Sequence, residues 1–241
     1  MKIENPDAMY KFYNQFSDNL DELVTVVLTS CGRLNYLMQT IESFYKYNTF
    51  PIYEFIIVED SGNKKMHKSI RELYPYFTII CNEKNIGLVE SIDKGYSKVK
   101  TPFIFHCEDD WEFYRSGFIE KSLEILVHYP EILQVWIRAM NDTNTHPVEN
   151  KIYEAGEVQF RLMETNALGG NWHGFSWNPG LRRLADYRLL APFSKIAPDR
   201  KAGEREMIIG KEYYKLGFRA AILPEGYVKH IGLGPKNYSL A

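Results

Sequence analysis

The chain has 241 residues, 45 % of them hydrophobic and 15 % aromatic, with 29 Lys and Arg against 31 Asp and Glu. Such a chain can bury a sizeable core, and the composition excludes a disordered polymer. A net charge of −2 leaves no cationic footprint for a phosphate backbone, which excludes general nucleic-acid binding.

Asn5-Pro6-Asp7 is a helix start, after which Met9, Phe12, Tyr13 and Phe16 fall at helical spacing. Packing across the main domain and docking on a partner are both open for this helix. Its acidic neighbours Asp18, Asp21 and Glu22 argue against an anionic membrane surface. Leu23 to Thr29 is a β-branched apolar run, and Leu34, Leu37, Met38, Ile41, Phe44 and Tyr45 follow at helical period. The same strand-then-helix alternation recurs at Phe55 to Val58, with a helix through Leu73, and at Phe77 to Ile80, with a helix from Leu88 to Val99. Phe103-Ile104-Phe105 is a fourth strand, closed by acid.

Strands spaced by helices in this way are βαβ units, which build a parallel sheet covered on both faces, with ligands at the carboxyl ends of the strands. The second half is less regular. Ile132 to Ile137 reads as a strand, Asn141 to Asn150 as polar loop, and Trp172 to Trp177 as an aromatic segment. Leu190 to Gly203, with two prolines, reads as a mobile loop. Glu206 to Leu216 reads as a helix ended by Gly217 at C′, and Phe218 to Leu223 as a strand. There is no internal repeat.

Three cysteines, Cys31, Cys81 and Cys107, lack any CxxC or Cys/His pairing, which rules against a disulfide scaffold or a structural zinc. No apolar run approaches the roughly 18 residues that span a bilayer, and the first 21 residues carry no secretory pattern. The expected location is cytoplasmic, either free or peripheral to a membrane-bound assembly.

At the strand ends stand Thr29-Ser30-Cys31-Gly32-Arg33, then Glu59-Asp60, then Asn82 with Asn85-Ile86-Gly87, then Glu108-Asp109-Asp110. Any one of these is ordinary turn chemistry. Three consecutive carboxylates are not, because they raise one another's pKa unless a cation sits among them. Mg²⁺ or Mn²⁺ meets that need and completes its shell with phosphate oxygens. An acidic side chain at the end of the second strand suits a base or ribose, and Arg33, opening a helix, suits phosphate. Neither a three-glycine dinucleotide fingerprint nor a P-loop is present.

Taken together, Val26 to Arg33, Ile57 to Gly62, Asn85 to Leu88 and Glu108 to Asp110 resemble the nucleotide-sugar half of glycosyltransferase family 2 enzymes, which have the GT-A fold. The resemblance implies a Rossmann-like α/β architecture with a mostly parallel central sheet flanked by helices. It implies one domain over residues 1–241, with an extension at 1–22, a donor half at 23–111 and an acceptor half at 112–241. Thr29, Arg33, Glu59, Asp60, Asn85, Gly87, Glu108 and Asp109 are then expected at the nucleotide. Asp110 and Glu108 form the ends of a DXD element on Mn²⁺ or Mg²⁺. Glutamate replaces the family's aspartate at 59 and 108, and Asp93 stands where many relatives have a basic or amide residue.

The segment Gly203 to Glu206 with the following helix is similar to the family's acid pair. Glu206 falls on the general-base position with Glu204 as competitor, and helix capping is the alternative reading for both. His230 is similar to a late histidine that reaches metal or diphosphate, and a structural role is equally open. Trp172, His173, Trp177 and Asn178-Pro179 suit either a sugar platform or core packing.

The implied activity is metal-dependent transfer of a sugar from a nucleoside-diphosphate-sugar, UDP favoured, to an acceptor hydroxyl with inversion, in glycan or polysaccharide synthesis. A sugar nucleotidyltransferase would show a glycine-rich basic loop after the first strand. A noncatalytic nucleotide-sugar or glycan-binding module would not need Glu206.

Overall fold

Residues 19–232 are described here from a computed structural model. The helical signal at Met9, Phe12, Tyr13 and Phe16 lies outside them. Strand β1 (Val24–Ser30) is buried along its whole length because it sits between two parallel neighbours, β2 (Glu54–Glu59) and β4 (Phe103–Glu108). β3 (Thr78–Cys81) lies outside β2 and also runs parallel to it. The register pairs Ser30 with Glu59, Thr29 with Glu108 and Glu59 with Cys81, so the polar ends of all four strands reach one edge together.

Helices α1 (Leu34–Tyr47), α2 (Lys64–Leu73) and α3 (Leu88–Tyr96) form where the apolar period predicts them. Alternate residues of β1 point to opposite layers. Val26 and Leu28 join Leu37, Ile41 and Phe44 of α1, Ile70 of α2 and Leu123 of α4 (Phe118–His128) on one side. Val27 joins Val89, Ile92 and Tyr96 of α3 on the other. α3 approaches so closely that a Cβ at Gly95 would lie 2.5 Å from Val27 Cγ1, a contact only glycine tolerates.

After β4 the chain forms β5 (Trp111–Phe113), α4, β6 (Ile132–Trp136) and a hairpin of β7 (Tyr153–Ala155) with β8 (Val158–Leu162). It continues through β9 (Gly180–Arg183), α5 (Leu184–Leu190), α6 (Ala202–Lys215), β10 (Arg219–Ile222) and β11 (Val228–His230). The nine-stranded sheet has the order β3-β2-β1-β4-β9-β6-β10-β8-β7, and all but β8 and β9 run in one direction. β9 lies antiparallel between β4 and β6 and so joins the two halves. α5 and α6 cover the α3 face through Leu184, Tyr187, Ile209 and Tyr213. Gly217 takes the predicted C′ place with φ +90°. No helix of the described residues is long and apolar enough to cross a membrane.

The 190–203 segment departs from the mobile loop expected of it. Phe193 is 1 % exposed, and the backbone N–H groups of Phe193 and Ser194 donate to Asp93 at 3.0 and 2.7 Å. Tyr187 Oη donates to the same carboxylate at 2.7 Å. A buried aromatic ring and two bonds to one carboxylate tie the first half of this strap to α3, and Tyr187 of α5 adds a third bond to the same group.

Candidate active site

A cleft of about 190 Å³ opens at the carboxyl ends of β1, β2 and β4. Of the residues expected at a nucleotide, Thr29, Arg33, Asp60, Asn85, Gly87, Glu108 and Asp109 line it, whereas Glu59 does not. Glu59 lies beneath the wall. Its Oε1 accepts from the N–H groups of Gly32 at 3.0 Å and Ser61 at 2.9 Å, which fixes the turns after β1 and β2. Its Oε2 is buried with no partner in the protein.

Asp60 does similar work at the next turn. Its two oxygens accept from Ile86 N, Gly87 N and Asn82 Nδ2, each at 2.8 Å. These bonds hold the loop that enters α3, where Gly87 sits at φ +103°, a conformation that favours glycine. Asn85 donates to Cys31 Sγ at 3.3 Å.

The acidic trio carries its own partial answer to charge repulsion. Arg33, at the start of α1, donates to both oxygens of Asp109 and, at 2.7 Å, to Asp110 Oδ2. Ser30 Oγ donates to Asp109 at 2.9 Å. Part of the neutralising charge expected of a metal ion is thus supplied by the chain, because one guanidinium spans two of the three acids. Burial pushes the Asp109 carboxyl up to about 6 against the pull of Arg33. Burial also raises Asp110, but His230 and Arg33 outweigh it and hold Asp110 below the ordinary range. His230 Nε2 lies 3.2 Å from Asp110 Oδ2 because β11 pairs with β5 immediately after the trio.

Glu108 gains less relief, because Arg33 lowers its carboxyl only weakly against the influences that raise it. Burial, then Asp110, Asp109 and Glu206, push its carboxyl up from 4.5 to about 8. A folded-state pKa above the unfolded value means that the protonated form favours folding and that this contribution is lost as pH rises through about 8. Glu108→Gln removes the charge at nearly constant shape. It is expected to stabilise the metal-free protein at pH 8 by about 2 kcal/mol after allowance for solvent screening, a gain that fades toward pH 4.5. Thermal melts at several pH values check this.

Glu206 comes from the other half of the chain. α6 brings its carboxylate into electrostatic range of Glu108, and its Oε1 accepts from Trp177 N at 2.7 Å. Burial raises the Glu206 carboxyl, opposed by the Trp177 amide, Ser176 and Arg182. Glu204 is turned elsewhere. Its Oε2 accepts from Lys201 N at 3.2 Å and its Oε1 lies 3.5 Å from Arg200, so this carboxylate caps the helix and is not brought to the cleft.

The tryptophans are not an open platform. Trp172 packs against Trp136 and His146, and Trp177 against Phe175 and Phe193. His173 stacks on Tyr214 with centroids 4.6 Å apart, and Asn178 N donates to Ser176 Oγ. Packing covers these rings, so the sugar-platform reading is corrected to a core role. His106, fully buried, also packs inward against Tyr96 and Trp177.

Sequence reasoning missed Arg182, Glu90 and Arg205. Arg182 is buried in β9 and donates to Ser176 O at 3.2 Å. Arg205 pairs with Glu90 at 2.8 Å. Among the described residues no group of three or more His, Cys, Asp or Glu side chains is gathered so as to hold a metal ion.

The sequence profile described as Glycosyl transferase family 2 matches residues 25–190. GalNAc-T7, solved with UDP, GalNAc and Mn²⁺, superposes with a TM-score of 0.60 at 14 % identity over 90 % of this chain and 46 % of its own. Residues 1–349 of TarS from S. aureus, solved with UDP, superpose with a TM-score of 0.58 at 15 % identity over 86 % of this chain and 59 % of that one. At such identities the likeness is one of fold, and this chain spans about half the length of those structures. Sequence comparison with curated proteins finds no match. The profile covers most of the chain and the fold agrees with it: the protein belongs to glycosyl transferase family 2.

Proposed function

We propose that the protein transfers a sugar from a UDP-sugar to an acceptor hydroxyl with inversion at the anomeric carbon, in glycan or polysaccharide synthesis. One observation carries the reading: a carboxylate from α6, Glu206, lies in electrostatic range of Glu108, the acidic end of β4 that lines a cleft walled by nucleotide-type turns. The first half, 23–111, holds the donor and the second, 112–241, presents the acceptor. GalNAc-T7 and TarS, with the same fold, are the relatives solved with UDP.

Asp110 and His230, whose Oδ2 and Nε2 lie 3.2 Å apart, would be the residues to hold a divalent ion, with Asp110 Oδ2 exchanging its bond from Arg33 for the ion. Diphosphate and water oxygens would complete the shell, and Glu108 lies alongside. Such an ion offsets the negative charge of the departing diphosphate. Arg33 adds a fixed positive charge on the cleft wall, while Asp60 and Gly87 hold the turn beneath the donor.

In the transfer, Glu206 takes the acceptor hydroxyl proton as that oxygen bonds to the anomeric carbon. The bond from that carbon to the diphosphate oxygen breaks, and its electron pair leaves with UDP. The raised pKa of Glu206 makes it a stronger base than an exposed carboxylate. Holding both substrates in line contributes at most about 7–11 kcal/mol.

Calorimetry and thermal shift with UDP, GDP, ADP and CDP, each with and without Mn²⁺, test this. UDP is expected to bind, and Mn²⁺ to tighten it. At a hundredfold excess over Kd, binding adds about 2.7 kcal/mol and raises the melting temperature by about 5–10 °C. Absence of binding by every nucleotide under both conditions overturns the reading.

A further inference from the structure

The base-bearing helix is tied to the donor wall by one ion pair. Arg205, immediately before Glu206, is 4 % exposed and reaches from α6 to α3. Its Nη1 donates to Glu90 Oε1 at 2.8 Å and its Nη2 to Phe193 O at 3.2 Å. Glu90 lies in the first turn of α3, over the glycine of the donor loop: a methyl at Gly87 would come within 2.7 Å of Glu90 Oε2. Gly87, Leu88 and Ser91 of that turn line the cleft. One continuous path therefore runs from the donor wall through Glu90 and Arg205 to the residue next in the chain, Glu206.

We infer that Glu90 and Arg205 are positioning residues, which set the direction of the Glu206 carboxylate by fixing the rotation of α6 against the donor wall. Consecutive residues on a helix lie about 100° apart, so anchoring one side chain on a neighbouring helix determines where the next one points. Here the anchor is an ion pair with Arg205 buried, and losing either partner leaves the other's charge uncompensated. No second ion pair joins α6 to α3 among the described residues. The inference rests on the reading of Glu206 as the base.

Two amides report on it in the intact chain. Trp177 N donates to Glu206 Oε1, whereas Met163 N donates to Ala220 O at 2.8 Å, away from the pair. In residue-resolved hydrogen exchange, Arg205→Met and Glu90→Gln are expected to speed Trp177 about tenfold and Met163 less than about threefold. Arg205→Lys, which keeps the charge, is expected to return Trp177 to within about threefold of wild type.

An unchanged Trp177 amide in Glu90→Gln overturns the inference, as does equal acceleration of both amides, which marks a general brace. Arg205→Lys behaving like Arg205→Met overturns the role of the charge. Should Arg205→Met fold poorly, Glu90→Gln decides alone. The base reading fails separately, if Glu206→Gln leaves sugar transfer intact.

Discussion

Glu206→Gln is expected to lower the rate of sugar transfer by about 10²–10⁴-fold while UDP affinity stays within about threefold of wild type. The carboxamide keeps the shape and, through its carbonyl oxygen, the bond from Trp177 N, but it cannot accept the acceptor's proton. The pH profile adds a second check. Burial raises the Glu206 pKa, and the base works only when ionised, so activity is present above that pKa and is lost as pH falls through it. The acid limb of kcat is expected above the usual glutamate value of 4.5 and is expected to vanish in Glu206→Gln. A limb that persists in the variant assigns the titration to another group, and undiminished transfer removes the base assignment.

Asp110→Ala is the second large loss, about 10²–10³-fold in turnover, by comparison with the removal of one electrostatic stabiliser of departing charge. Unlike Glu206→Gln, it is also expected to abolish the tightening of UDP binding by Mn²⁺. Asp110 is the acid of the trio that meets His230, and among the three carboxyls it is the one held below its usual range. It therefore carries its charge where Glu108 is pushed up to about 8, and its Oδ2 meets Arg33 and His230. Calorimetric titration of UDP with and without Mn²⁺ separates the outcomes. Full Mn²⁺ dependence in the variant places the ion on other residues.

The donor half was legible because its signals are local. β1, β2 and β4 are continuous apolar runs, and α1 to α3 show their buried faces in the sequence period. The strand that joins the halves was not. β9 reads Gly180-Leu181-Arg182-Arg183, and two arginines in a four-residue stretch give neither an apolar run nor alternation. β5 and β11 have three residues each, too short for any period.

At the site, the trio and the turns came from strand-end position. Glu206 and Glu204 both lie in the first two turns of one helix, and the difference in their partners, Trp177 N for one and Lys201 N for the other, is carried by no sequence pattern. Arg33 was read as a phosphate ligand, but its pairing with Asp109 and Asp110 crosses from α1 to the end of β4, a contact no local pattern records. The hold of Asp93 on the 190–203 strap is of the same kind. Its residue type was noticed, yet its partners lie about a hundred positions away.

The bond between Trp177 N and Glu206 Oε1 has an evolutionary consequence. The peptide that bonds Glu206 belongs to the same aromatic segment that fills the core, flanked by Gln134 and Arg182. Remodelling that segment would displace the Glu206 carboxylate, the proposed base, together with its surroundings. Change in acceptor preference is therefore channelled to exposed positions such as Asn141 and Asn150, whereas His146 between them packs against Trp172 and shares the constraint.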